Sequence, residues 1–306
     1  MAGIIFDSIF VDNAMNNTGE INALLRLLED PDQTIYRSVS ERLLHYGQSI
    51  LPELESSWHE CEDPLALTRI ETIIRHLNFN DTLKQFETWY KSKNPDLLQG
   101  GILLGKYFQQ QPEEDNLRRL IKNMHQSCWI ELNHYLTPLE QINIINSIFY
   151  SNYKFRGFDP EKMQPKHFDM QQVVESRTGN NYSLGIIYQI LCEMLDIPVY
   201  FIQLQQLALL AYFDHEYDFK QPIQNAKPKI QFYIDANTGM LYTQNDVDAY
   251  LRKYKLNVEP HHFNPLSNTG IMTQTLQALL GVYETLDHDA RQQELRQILA
   301  AVQTNL

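Results

Sequence analysis

The stretch "SRTGNNYSLGIIYQILCEMLDIPVYFIQL", residues 176 to 204, constrains the fold more than any other part of this chain. A polar, glycine-containing turn leads into a largely apolar helix, expected from about Tyr182 to Leu195, that buries Leu184, Ile187, Leu191 and Cys192. A buried strand follows at 199 to 204. Where a turn becomes a helix, unpaired backbone N–H groups and the helix dipole favour an anion, and nucleophiles are often carried there. The residue at that spot reads as Ser183.

Upstream the sequence is helical and clearly punctuated. Asp30-Pro31, Asp63-Pro64, Asn94-Pro95 and Thr137-Pro138 each place a side-chain acceptor before a proline, the pairing of an N-cap with a first helical residue that needs no N–H partner. Ile35, Val39, Leu43 and Leu44 recur at helical spacing up to Gly47, the expected C-terminal cap. Glu140, three residues after Thr137, completes a capping box. With "LALTRIETIIRHL" and "LLQGGILLGKYF", residues 20 to 125 read as stacked antiparallel helix pairs, HEAT-like but without a strict period.

Downstream, Asp169 is expected to cap a short helix ending at Gly179. Strands are expected at 199 to 204, 207 to 213 and 229 to 236, rich in β-branched and aromatic residues. "ANTG" supplies a turn before "MLYT", "NDVDAYLRKY" returns to helix, and the tail reads as a closing helical hairpin. The class is α+β. The expected domains are a helical part at 1–125, a core with a small antiparallel sheet at 126–265 and a helical extension at 266–306.

Composition narrows the partners. Of the 306 residues 43% are hydrophobic, enough for a real core, and 38 Asp and Glu against 25 Lys and Arg give a net charge of -13. With no basic run, neither nucleic acid nor an anionic membrane is expected as a partner. The opening "MAGIIFDSIFVDN" holds Asp7 and lacks a positive leader region, and no stretch reaches the roughly 18 apolar residues of a membrane span. Three dispersed cysteines, Cys61, Cys128 and Cys192, make no CxxC pair, which fits a reducing, cytoplasmic setting.

Three phrases, "LLRLLEDPDQTIYRSVSERLLHYG", "VVESRTGNNYSLGIIYQILCEMLDIPV" and "FYIDANTGMLYT", resemble in their order the transglutaminase-like superfamily, in its bacterial SirB-type branch. The resemblance implies a papain-like α+β core carrying a Cys at the start of the core helix, a His on the next strand and an Asp on the strand after it. That design works because helix terminus and imidazolium lower the thiol pKa while the carboxylate orients the imidazole. Carried over residue by residue, the nucleophile position falls on Ser183, the histidine position near Leu207, and the acidic position on Asp235. A serine hydroxyl without a general base is a poor nucleophile near neutral pH.

The expectation is therefore a non-catalytic module whose groove, near Asn181, Tyr182, Ser183, Asp235 and His167, binds a peptide or protein, with no cofactor and no metal. The alternative is an amide-processing enzyme with a displaced base, His167 or His215. Bland readings stand beside these: Ser183 as a helix cap or first-turn hydroxyl, Asp235 as a turn cap and Cys192 as a buried small hydrophobe. Asp214, His215, Glu216 and Asp218 read as a solvated loop, and His261-His262 falls in a proline-bearing loop with no acidic partner expected. Gly100-Gly101 and Gly105 mark close helix packing, not a phosphate loop.

Overall fold

The computed structural model describes residues 19–109, 114–159, 162–215, 217 and 224–303. The opening segment to Asn13, together with Glu216 and Asp218, lies outside the described residues. Among the described residues the chain is mostly helical with one small antiparallel sheet, and no helix is long and apolar enough to cross a membrane. Its contacts divide it into two compact units, Met1–Lys84 and Gln85–Leu306.

The first unit holds α1, described over 19–26, then α2 (Gln33–Tyr46), α3 (Leu51–Glu60) and α4 (Pro64–Tyr90) up to Lys84. Leu28, Leu43, Ile50, Leu54 and Ile73 form its buried centre. Arg69 is buried among them because its charge is provided for: Nη1 donates to the carbonyl of Leu28 at 2.9 Å, and the guanidinium lies 4.5 Å from the ring centre of Tyr36.

Two of the four expected helix starts shift by two residues. Helix α2 is capped by Asp32, whose carboxylate accepts from Thr34 N at 2.7 Å, while Asp30 is spent on the N–H of Asp32. Helix α5 (Leu97–Phe108) is capped by Asp96, not Asn94, through Gln99 N at 2.7 Å. Both misplaced starts have an aspartate after the proline, and the acceptor nearer the helix takes the cap. Where no such aspartate follows, the expectation holds: Asp63 accepts from Ala66 N, and Thr137 forms a complete capping box with Glu140.

The second unit continues with α5, α6 (Glu114–Glu131) and α7 (Pro138–Asn146), which runs on into a π-helical turn, Ser147–Asn152. Next come β1 (Arg156–Gly157), α8 (Met170–Ser176), β2 (Thr178–Gly179) and α9 (Asn181–Met194). The antiparallel meander follows as β3 (Val199–Leu204), β4 (Leu207–Phe213), β5 (Ile230–Ile234) and β6 (Leu241–Tyr242), in that spatial order. Leu204 pairs with Leu207 across the β3–β4 turn, Leu210 with Ile234, and Tyr233 with Tyr242. Helices α10 (Gln244–Lys253), α11 (Asn268–Thr285) and α12 (Asp289–Gln303) complete the chain.

Helix α9 is the centre of this unit. Every residue from Tyr182 to Cys192 is buried, because β3 and β4 cover one side and α5 and α6 another. Each of its buried Leu and Ile side chains contributes about 1.5–3 kcal/mol relative to exposure. Gly185 permits the close approach of the sheet: a Cβ there would lie 2.4 Å from the Phe201 ring.

Helices α5 and α6 belong to the second unit, where α5 packs on α8, α9 and α11. The reason is its composition: Gly100, Gly101, Ile102, Leu103, Leu104 and Gly105 are all buried, so α5 needs neighbours on several sides.

Candidate functional site

A cavity of about 760 Å³ opens beside the first turn of α9. It is built by three parts of the second unit: the first turn of α9 and the tip of the β3–β4 hairpin; α10 with β6 and the turn before it; and one face of α11. Asn181 and Tyr182 come from α9, and Gln203, Gln205, Gln206 and Leu207 from the hairpin. Asp235, Asn237, Tyr242, Asp246 and Tyr250 form the second wall, and Gln274, Gln277 and Ala278 the third. Its size falls in the range of small-ligand sites, roughly 300–1,000 Å³.

Local sequence explains how each wall is held. The start of α9 is fixed by Asn180, the N-cap, whose Oδ1 accepts from the N–H groups of Tyr182 and Ser183, both at 2.9 Å. The cap therefore lies three residues before Ser183, and the first helical residue is Asn181. Tyr182 lies against the sheet, stacked at 6.0 Å on Phe201, and its hydroxyl donates to Gln203 Oε1 at 3.4 Å. Burial pushes that phenol's pKa up. Gln203 in turn donates to the carbonyl of Gln205, and Gln205 to that of Asn257, so the hairpin tip is tied down by its own amides.

The wall carrying Asp235 is anchored from α7 and the π-helical turn. Tyr150 Oη donates to the carbonyl of Ala236 at 2.8 Å, and Asn146 Nδ2 to that of Gly239 at 2.8 Å. Tyr188 of α9 donates to Asn146 Oδ1 at 2.9 Å, which joins the turn to the core helix. Gly239 has φ +73°, and a Cβ there would meet the Tyr150 ring at 2.5 Å, so this turn admits only glycine without rearrangement. Within it Asp235 accepts from Asn237 N at 2.9 Å and from the Thr238 hydroxyl at 2.7 Å, the turn-capping role its sequence neighbours suggest.

The residues singled out in the sequence separate into two groups. Asn181, Tyr182, Leu207 and Asp235 come together on the cavity. Ser183 and His167 do not line it. Ser183 is fully buried; its Oγ accepts from Asn180 N at 3.0 Å and donates to the carbonyl oxygen of His167 at 2.8 Å. The His167 ring lies elsewhere, 3.9 Å from Phe158 by ring centres, with Nδ1 accepting from Gln164 N at 3.1 Å. Burial, then Lys166, lowers its pKa.

The remaining candidates are held in other places. Cys192 is fully buried in α9, and burial, followed by Cys128, pushes its thiol well above the usual range. His215 meets the hydroxyl of Tyr212 at 3.2 Å. His261 has the acidic partner that was not expected: Glu259, two residues earlier in the chain, places a carboxylate oxygen 3.2 Å from its Nδ1. Among the described residues no group of three or more His, Cys, Asp or Glu side chains is arranged to hold a metal ion.

The glutamines and the α10 residues were not picked out from the sequence. Each lies in an amphipathic or turn segment where a polar residue reads as a solvated one. The one available signal is spacing: Gln274, Gln277 and Ala278 share a helix face, as do Asp246 and Tyr250.

Comparison with known families adds one finding. The family model described as the transglutaminase-like superfamily matches residues 114–277, more than half of the chain and all of the elements from α6 through the sheet to α10. No curated protein and no solved structure gives a significant match.

Proposed function

The chain belongs to the transglutaminase-like superfamily, and from that premise we propose that it is a peptide- or protein-binding module of the SirB-type branch that does not carry out covalent catalysis at the superfamily's site. One observation carries this reading: the cavity beside the start of α9 is lined, among the described residues, by Asn181, Tyr182, Leu207 and Asp235 and by neither a Cys nor a His. A thiol or hydroxyl nucleophile requires a base within hydrogen-bond reach, and among the described residues the Ser183 hydroxyl bonds to the main chain of His167 and Asn180 alone. Asp235, whose position would orient an imidazole, serves its own turn instead.

On the same reading the helices of the first unit are HEAT-like pairs that offer a second surface, α11 and α12 are a closing hairpin, and the protein works in the cytoplasm. Paired measurements on one preparation test the binding function. The protein is screened against an immobilised library of unmodified peptides, and ammonia or amine release is followed from amide substrates. Saturable peptide binding without turnover is expected; turnover without peptide binding overturns the proposal.

A further inference from the structure

We infer that the corner between α6 and α7 is the face through which two copies of this chain pair, each copy offering Trp129, Ile130, Tyr135 and Leu139 to the other. None of these residues lines the cavity, so the inference stands apart from the peptide-binding reading.

Among the described residues the three most exposed large hydrophobic side chains are Tyr135 at 83%, Ile130 at 77% and Trp129 at 70%, and they fall within seven residues of one another. Leu139, 50% exposed, stands in the first turn of α7. Single exposed hydrophobics are ordinary, whereas a cluster of the largest ones at one corner marks an interaction face. Charge is depleted at the same place. From Trp129 to Leu139 the chain carries one carboxylate, Glu131, and no Lys or Arg, although charged residues make up 21% of the whole. Aromatic enrichment with charge depletion is the composition of an interface core.

The corner is firmly built. Leu132 N donates to the carbonyl of Cys128 at 2.9 Å as α6 ends, and Leu136 N donates to the carbonyl of Asn133 at 3.3 Å. Tyr135 N donates to Asn133 Oδ1 at 3.0 Å, and the capping box of Thr137 and Glu140 opens α7. The rings of His134 and Tyr135 lie 4.0 Å apart by their centres. A face whose backbone is already fixed loses little freedom on docking.

Area decides for a second copy. With ~150–250 Å² for a whole aromatic side chain and somewhat less for Ile and Leu, the four residues present roughly 500 Å² of apolar surface. Two copies together bury roughly 1,000 Å² before any rim, the least that a specific interface needs. The half-buried Leu132 and Leu136 and the exposed Asn133 and His134 supply that rim. In a two-fold pair one patch serves both sides, so no second complementary surface is required. The net charge of -13 on each copy opposes pairing through charged faces and least at this charge-poor corner. A bilayer is the poorer occupant, because the corner has no Lys or Arg to meet headgroups and sets Glu131 among its apolar side chains.

The test is the mass of the full chain by sedimentation equilibrium, from about 1 to 300 µM. A one-chain to two-chain transition is expected with a dissociation constant of about 1–100 µM, tightening as salt screens the net charge. Ile130→Glu should weaken pairing at least about tenfold with the unfolding midpoint preserved, since the side chain it replaces is exposed. Tyr135→Ser, in the connection between the helices, is the second variant should the first fail to fold. Leu286→Glu removes an exposed hydrophobic at the end of α11 and should leave the pair intact. A one-chain mass at every concentration overturns the inference, as does a pair that survives both corner substitutions or that Leu286→Glu disperses. A one-chain protein that floats with phosphatidylcholine vesicles, and no longer does so as Ile130→Glu, overturns it in favour of a membrane surface.

Discussion

The hydroxyl of Ser183 donates to the carbonyl oxygen of His167 at 2.8 Å while accepting from Asn180 N at 3.0 Å, so the serine at the position expected for a nucleophile fastens the start of the core helix to the segment before α8. Its hydrogen-bonding capacity is used inside the protein. Ser183→Ala should therefore destabilise the fold by about 1–3 kcal/mol, the cost of leaving buried backbone groups unpaired, and leave ligand binding at the cavity unchanged. Denaturant unfolding alongside a binding titration checks this; unaltered stability with lost binding would contradict it.

Thiol reactivity should divide the cysteines. Cys61 is half-buried, whereas Cys128 and Cys192 are buried, with the Cys128 thiol pushed up to about 12, mainly by desolvation. Only thiolates react, so iodoacetamide at pH 8 is expected to label Cys61 rapidly and the other two only on unfolding. Peptide mapping by mass spectrometry reads the result, and labelling of Cys192 as fast as Cys61 would contradict its burial in α9.

Alkaline pH should weaken the folded state. Burial, before any other cause, raises the phenols of Tyr90 and Tyr212 to about 12. With Cys128 these groups stay protonated in the native state to a higher pH than in the unfolded chain, where phenols ionise near pH ~10 and thiols near ~8.5. Above those values the unfolded state binds fewer protons, so the stabilisation is fully present below about pH 8.5 and falls progressively towards pH 12. Urea midpoints measured from pH 7 to 11 should decline across that window; a rising midpoint contradicts the desolvation account.

The turn carrying Asp235 should be sensitive at its glycine. Gly239→Ala places a Cβ against Tyr150 at a positive φ and is expected to cost about 1–3 kcal/mol and to displace Asp235 from the cavity wall. Tyr150→Phe, which removes only the bond to Ala236, should cost about 1 kcal/mol. Equal effects of the two substitutions would mean that the backbone conformation at Gly239 matters less than its close packing implies.

Local rules read the chain well wherever one residue decided the outcome. Thr137 with Glu140, Asp63 and Asp169 cap as expected, and the strands at β3 and β4 have their expected limits. Local rules failed where two candidates competed a residue or two apart. Asp32 displaced Asp30, Asp96 displaced Asn94, and Asn180 took the cap that leaves Ser183 inside the first turn. On the cavity, Asn181, Tyr182 and Asp235 sit in the phrases that resemble the superfamily, while Leu207 lies outside them, near the place where the superfamily carries its histidine. The glutamines of the hairpin tip and of α11 were not legible, since only tertiary structure brings residue 205 beside residue 274.

The central claim is binding at the cavity without covalent chemistry at Ser183, and blocking the cavity tests it most directly. Ala278, on α11 at the cavity wall, is half-buried, and Ala278→Trp places an indole in the space without touching Ser183. Wild type and variant are titrated with the tightest peptide from the library while amide turnover is followed in the same samples. The account predicts saturable binding by the wild type, loss of at least about tenfold in affinity for the variant with its unfolding midpoint preserved, and no turnover by either. Amide turnover by the wild type that disappears in Ser183→Ala, with the fold intact, would contradict it.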